Sequence, residues 1–147
     1  MKCILALFAS LALLTGSASA FGEKPDENAS VRCEVSMKQK SIKAGATGQI
    51  LVSLQPKKGI HINLDQPIQI RMDSAEVIAS VGKPEIPVID TSYDASKPIR
   101  LRVTISKNAK PGKFSLRGTV IYFYCSDTEG WCSRFKQPID VQCTVTK

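Results

Sequence analysis

The feature that most constrains this chain is an alternation of apolar and polar residues with a period of two. It is clearest in residues 99–105, where isoleucine, leucine and valine alternate with arginine and threonine, and it recurs in 31–38 and 49–55. This period is typical of β-strands with one buried face. Turn-forming stretches such as 107–112 separate the alternating segments. Seven or eight short strands and no persuasive helix after the first twenty residues predict an all-β, immunoglobulin-like β-sandwich.

The N-terminus has the composition of a secretory signal peptide. Lys2 supplies a positive start, residues 4–14 are apolar, and Ala18-Ser19-Ala20 is a small-residue cleavage signal. We therefore expect three parts: a cleaved signal peptide (1–20), a flexible segment (21–30) and one folded domain (31–147). No later apolar run is long enough to span a membrane. These features predict a periplasmic or secreted protein, in a compartment where disulfides form.

The chain is basic, with a formal net charge of +7 that removal of Lys2 would lower by one. In an intracellular protein this charge would favour a nucleic-acid partner, but export argues against one. Two interpretations remain open: a solvated basic surface, or steering towards acidic partner proteins or anionic membranes.

The most distinctive local motif is a pair of cysteines, Cys125 and Cys132, at the end of an aromatic strand. Asp127 and Gly130 lie between them and favour turns, so the chain can fold back and bring the two sulfur atoms within bonding distance. Closing so small a ring stabilises a fold by only about 2.5 kcal/mol in the chain-entropy treatment. We therefore expect a disulfide that is made and broken, with Cys125 and Cys132 as candidate catalytic residues.

The other two cysteines of the folded part are Cys33 and Cys143. Both occupy inward positions of the alternation, in the first and last predicted strands. Those strands often lie close together in a sandwich, so a structural disulfide between Cys33 and Cys143 is expected, with two buried free thiols as the alternative.

His61 is the only histidine. The alternation places it on the same strand face as Asn63, opposite Ile60 and Ile62. It is either an ordinary surface histidine or a proton acceptor near the thiols, because its pKa lies in the useful range. Blue-copper sites need two histidines, and zinc sites with histidine ligands usually need more than one, so we predict no metal and no cofactor.

The longest connection without a strand pattern is 87–98, which contains Tyr93. Such a loop is often a lid or a binding loop, and otherwise a simple surface excursion. Two aromatic residues, Tyr124 and Trp131, each come immediately before one cysteine of the pair. They are either core residues or part of a cover that the long loop completes.

The order of these motifs resembles one known family. The matching features are the strand Gly59-Ile60-His61-Ile62-Asn63, the long loop with Tyr93, the Pro111-Gly112 turn, and Gly118-Thr119-Val120-Ile121-Tyr122 leading into Cys125 and Cys132. Together they resemble the N-terminal periplasmic domain of the DsbD family of bacterial transmembrane thiol:disulfide interchange reductases.

The resemblance implies an immunoglobulin-like fold that passes electrons from a membrane reductase to periplasmic disulfide isomerases or thioredoxin-like proteins, including those of cytochrome c maturation. It also implies that Cys125 and Cys132 are the redox pair, that Cys132 is the sulfur that attacks partners, and that the loop around Tyr93 caps the pair. The chain departs from the family in two ways. It ends at Lys147 without a membrane or thioredoxin-like domain, so electrons are expected from another polypeptide, and Cys33 and Cys143 are additional.

The charges near the cysteine pair are mixed. Asp127 and Glu129 disfavour a thiolate, whereas Arg134 and Lys136 favour one. We therefore expect a thiol:disulfide relay that leaves much of the thiol activation to its partners. The alternative is a non-catalytic exported binding module in which the disulfides are purely structural. A hydrolase is disfavoured because a single histidine without a nucleophile-elbow motif offers no triad.

Overall fold

The computed structural model describes residues 28–147, and every regular element in this range is a β-strand. The predicted signal peptide and residues 21–27 of the predicted flexible segment lie outside the described residues. The strands are β1 (Val31–Met37), β2 (Ile42–Lys43), β3 (Thr47–Pro56), β4 (Ile60–Asn63), β5 (Gln69–Met72), β6 (Ile78–Val81), β7 (Val88–Ile89), β8 (Ser92–Tyr93), β9 (Ile99–Ile105), β10 (Gly112–Ser126) and β11 (Cys132–Thr146).

These strands form two main sheets around one hydrophobic core. The first sheet has the order β1-β3-β9-β6, and the second has the order β2-β11-β10-β4, with β5 also paired to β10. Strands β7 and β8 form a small separate hairpin. The predicted all-β, sandwich-like fold is therefore confirmed, whereas its immunoglobulin-like character remains a prediction.

The alternation read from the sequence decides which side chains fill the core. In β9, Ile99, Leu101 and Val103 are fully buried, whereas Arg100 and Arg102 between them are exposed. The second sheet supplies Leu116, Val120 and Tyr122 of β10 and Ile139, Val141 and Val145 of β11. Residues of opposite parity on β10 and β11 therefore point away from the core, and the outer face of the second sheet is built from them.

The long hairpin of β10 and β11 positions the cysteine pair. Its antiparallel register runs without interruption from Gly112 opposite Val145 to Cys125 opposite Cys132. The sequence predicted the last strand only around Ile139, but β11 already begins at Cys132. Pro138 does not break it, because it faces Thr119 at a position where the backbone N of an antiparallel pair points away from the partner strand.

Candidate functional site

The predicted disulfide between Cys125 and Cys132 is present at the tip of this hairpin. The two residues are direct cross-strand partners, with Cα atoms 4.0 Å apart and an S–S distance of 2.00 Å. Beyond them, Ser126 N donates to Trp131 O at 2.9 Å and Gly130 N donates to Ser126 O at 3.1 Å. Gly130 has a φ of 69°, in the left-handed region that glycine adopts without strain. The turn chemistry read from the sequence therefore closes the ring.

The two sulfur-bearing residues differ in exposure. Cys125 is only 5% exposed, whereas Cys132 is exposed to solvent. Because thiol–disulfide exchange proceeds by attack of a thiolate on one sulfur, access decides which sulfur a partner reaches. In this arrangement Cys132 is the more accessible residue of the pair.

Strand β4 lies against the side of β10 that β11 does not occupy, and it brings two polar side chains to the disulfide. His61 is directly opposite Cys125, and Asn63 is opposite Phe123. The Asn63 side-chain amide Nδ2 donates to Sγ of Cys125 at 3.6 Å. The sequence placed His61 and Asn63 on one face but assigned Asn63 no role, since nothing in it indicated that β4 pairs with β10.

His61 is tied to the loop inside the disulfide ring. Its Nδ1 lies 2.5 Å from Oδ1 of Asp127, and both side chains are more than half exposed. The backbone N of Asp127 also donates to Gly59 O at 2.9 Å. Two contacts therefore hold the ring loop against the start of β4, one of them through the side chain that the sequence offered as a proton acceptor.

Tyr124 and Trp131 are in contact with each other next to the disulfide, and Tyr124 lies on the opposite face of β10 from Cys125. Tyr124 follows the parity of the core residue Tyr122, and the Trp131 ring packs edge-on against Tyr124 with centroids 5.7 Å apart. The indole Nε1 of Trp131 donates to the carboxylate of Glu129. Tyr124 and Trp131 thus pack against each other beside the disulfide, and their expected role as cover or support stays a prediction.

Tyr93 is placed inside the core. Its side chain is 9% exposed, and its hydroxyl oxygen accepts a hydrogen bond from Leu54 N at 3.3 Å. Burial, and to a smaller extent neighbouring Cys33 and Asp94, raises the pKa of this phenol, against the opposing effect of the Leu54 bond. The connection expected to be irregular contains the β7–β8 hairpin, which packs beside β4. Tyr93 therefore anchors this hairpin to the core, and the cap expected of its loop stays a prediction.

The expected disulfide between Cys33 and Cys143 is wrong, and both residues are free thiols. Cys33 lines a cavity of about 650 Å³ together with Gln137, in the middle of β11. Cys143 lies six residues further along that strand, a separation of roughly 20 Å at the usual rise per residue. Bridged cysteines need Cα atoms within about 7 Å of each other, and the fold leaves these two thiols unbonded.

Both free thiols are held in their protonated form. Burial, with a smaller contribution from the Glu34 carboxylate, raises the pKa of Cys33 to about 11. Burial also raises the pKa of Cys143. Because the thiolate is the nucleophile, these two cysteines are poorly suited to exchange chemistry.

Comparison with protein-family models and with curated proteins found no match to this chain. Among the residues that the structure describes, no helix is long and apolar enough to cross a membrane. Over the same range, no group of three or more histidine, cysteine, aspartate or glutamate side chains is arranged to hold a metal ion. The function therefore has to be argued from the cysteine pair itself.

Proposed function

We propose that this protein is an exported thiol:disulfide interchange domain that carries two electrons through Cys125 and Cys132. The observation that carries the proposal is the asymmetry of the pair. An exposed Cys132 is bonded to a buried Cys125, and the buried sulfur accepts a hydrogen bond from Asn63. One sulfur is thus open to attack, and the other has a donor that stabilises it when it leaves as a thiolate.

The exchange reaction follows from this geometry. A donor thiolate attacks Sγ of Cys132, the bond to Cys125 breaks, and Cys125 leaves with the electron pair as a thiolate. The second donor thiolate then attacks the donor sulfur of the mixed disulfide and releases Cys132 as a thiolate, so the donor becomes a disulfide and this protein a dithiol. In the reverse direction, Cys132 attacks an acceptor disulfide, and Cys125 attacks Cys132 to release the reduced acceptor.

A purely structural disulfide is less well supported at this position. The bond joins two strands that are already paired from Gly112 opposite Val145 up to the cysteines themselves. A covalent link at the end of such a ladder restricts the unfolded chain by only a short loop, worth about 2.5 kcal/mol. Exchange with partners gives this bond a role that stabilisation alone does not.

The proposed partners are other thiol:disulfide proteins. By its resemblance to the DsbD family, the protein would act in the periplasm, with a membrane reductase as donor and a disulfide isomerase or thioredoxin-like protein as acceptor. The basic, exported character of the sequence is consistent with that setting.

A redox titration tests the function. The protein from Phe21 onward is equilibrated in glutathione or dithiothreitol buffers, alkylated, and mapped by peptide mass. We expect Cys125 and Cys132 to reduce together at about −180 to −270 mV, as in known exchange proteins. The other two cysteines should be unbridged at every potential. A midpoint below about −300 mV would instead identify a structural disulfide and a non-catalytic binding module.

Single-cysteine variants test the assignment of the two sulfurs. The Cys125→Ser variant should form a mixed disulfide rapidly with a small disulfide reagent through Cys132. In the Cys132→Ser variant, the buried Cys125 should react at least about tenfold more slowly, because its access is restricted. Equal rates in the two variants would contradict the assigned roles.

A further inference from the structure

The outer face of the second sheet is arranged in rows that start at the disulfide. The register aligns residues of β4 or β5, β10 and β11 side by side. From the hairpin tip, the rows are His61–Cys125–Cys132, Asn63–Phe123–Arg134, Gln69–Ile121–Lys136 and Arg71–Thr119–Pro138. Successive rows are about 7 Å apart, because each step advances two residues along a strand.

Three basic side chains lie on this face, close enough together to contact one docked protein. Arg134, Lys136 and Arg71 are all exposed, at roughly 7, 14 and 20 Å from the disulfide row. None of them forms an ion pair with a carboxylate of residues 28–147, and Arg71 bonds only to the neutral Gln69 amide. We call Arg71, Arg134 and Lys136 the basic stripe.

Three of the carboxylates near the stripe are engaged by other groups, whereas Asp65, after β4, and Asp73, after β5, form no ion pair within residues 28–147. At the tip, Asp127 contacts His61 and Glu129 accepts from Trp131. At the far end of the same face, Asp140 contacts Arg117 at 3.4 Å. The three cations of the stripe outnumber the two unpaired carboxylates beside it, so a positive potential extends along this face towards the exposed residue Cys132.

We infer that the basic stripe docks the acidic surface of a partner thiol protein and places the partner's redox sulfur at Cys132. This inference rests on the exchange function proposed above and adds the chemistry of the partner. A protein is favoured over a membrane because the stripe leads directly to the sulfur, and a lipid surface has no thiol to deliver there.

The test uses three synthetic peptides of equal length, each with one cysteine. The first carries about four aspartates, the second the same number of lysines, and the third the same number of serines. Exchange of each peptide with the oxidised protein is timed at about 20 mM and about 500 mM salt. Each rate is divided by the rate of the same peptide with hydroxyethyl disulfide, which is neutral, to remove differences in intrinsic thiol reactivity. We expect the aspartate peptide to exceed the serine peptide by about tenfold at low salt and by less than about twofold at high salt.

Two triple variants that remove the same charge test whether the preference for the aspartate peptide depends on the basic stripe. Arg71→Gln, Arg134→Gln and Lys136→Gln together should bring the aspartate rate to within about twofold of the serine rate. The control combines Lys38→Gln, Lys40→Gln and Arg100→Gln, which remove the same charge from exposed positions of β9 and of the bend that follows β1. This control should retain most of the preference, since its changes lie outside the sheet that carries the stripe.

Three outcomes would overturn the inference. A preference for aspartate that is as large in the stripe variant as in the control would do so, as would no preference at all in the unmodified protein. So would a stripe-dependent binding to phosphatidylglycerol vesicles accompanied by an unchanged peptide preference. If even the serine peptide and dithiothreitol failed to exchange, the proposed function itself would be wrong, and the docking surface would fall with it.

Discussion

Asn63 and Cys125 are joined across the pairing of β4 and β10 by a hydrogen bond, 3.6 Å long, from the side-chain amide Nδ2 to Sγ. Cys132 lies on the other side of Cys125, so the buried sulfur has its bonded partner on one neighbouring strand and a hydrogen-bond donor on the other. A donor to sulfur stabilises the thiolate more than the thiol, and this lowers the free energy of the leaving group in exchange.

The Asn63→Ala substitution should therefore slow exchange. We expect a loss of about 1 kcal/mol of stabilisation, which corresponds to a rate about fivefold lower with dithiothreitol near neutral pH. The matched control is Gln69→Ala, an amide on the same sheet face but opposite Ile121. In the Cys132→Ser background, alkylation of Cys125 should shift to higher pH in Asn63→Ala only. An unchanged alkylation profile would contradict a role for the amide at the sulfur.

The contact between His61 and Asp127 should hold the ring loop locally and contribute little to global stability. Both side chains are more than half exposed, and exposed ion pairs contribute about 1 kcal/mol or less. We expect His61→Ala to accelerate amide hydrogen exchange at Thr128 and Glu129 while the free energy of unfolding falls by less than about 1 kcal/mol. His61→Asn serves as a smaller polar control. Unchanged loop protection in His61→Ala would show that the contact does not restrain the ring.

Stability should fall in alkaline solution, in part because of Cys33. Burial raises the pKa of this thiol from 9.0 to about 11. An acid with a higher pKa in the folded state keeps its proton there while the unfolded chain ionises, so its contribution is complete below about pH 9 and is lost by about pH 11. Tyr93 and Tyr122, whose pKa values burial also raises, should add to the decline.

Urea denaturation near pH 7 and near pH 11 measures the contribution of Cys33. We expect Cys33→Ala to reduce the loss of unfolding free energy between the two conditions by about 1 kcal/mol. Ser53→Ala, at a half-buried position of the neighbouring strand β3, is the control without a titrating group. Equal alkaline losses in the two variants would show that Cys33 does not ionise differently in the folded and unfolded states.

Gly118 should be intolerant of any side chain, because β5 approaches β10 closely there. A Cβ at Gly118 would lie 2.5 Å from the backbone oxygen of Arg71, whereas one at Gly82 would find its nearest atom at 3.4 Å. We expect Gly118→Ala to cost about 1–3 kcal/mol of unfolding free energy and Gly82→Ala less than about 1 kcal/mol. Thermal denaturation compares the two, and similar midpoints would show that β5 moves freely away from β10.

Local chemistry in the sequence was enough to predict most of the long strands and the cysteine ring, but not the β7–β8 hairpin or the start of β11. The alternation in residues 99–105 identifies which side chains are buried, because neighbouring side chains on a strand point to opposite faces whatever the strand pairs with. The ring between Cys125 and Cys132 is also local, since the turn that closes it lies between the two cysteines.

The tertiary structure decided everything that depends on which strands are neighbours. The pairing of β4 with β10 brings Asn63 to Cys125, and the packing of the two sheets leaves Cys33 and Cys143 unbonded. The core position of Tyr93 likewise depends on Leu54, a residue distant in the chain. Periodicity reports the face on which a residue lies but carries no information about the partner strand or its register, which are set by packing the whole core at once.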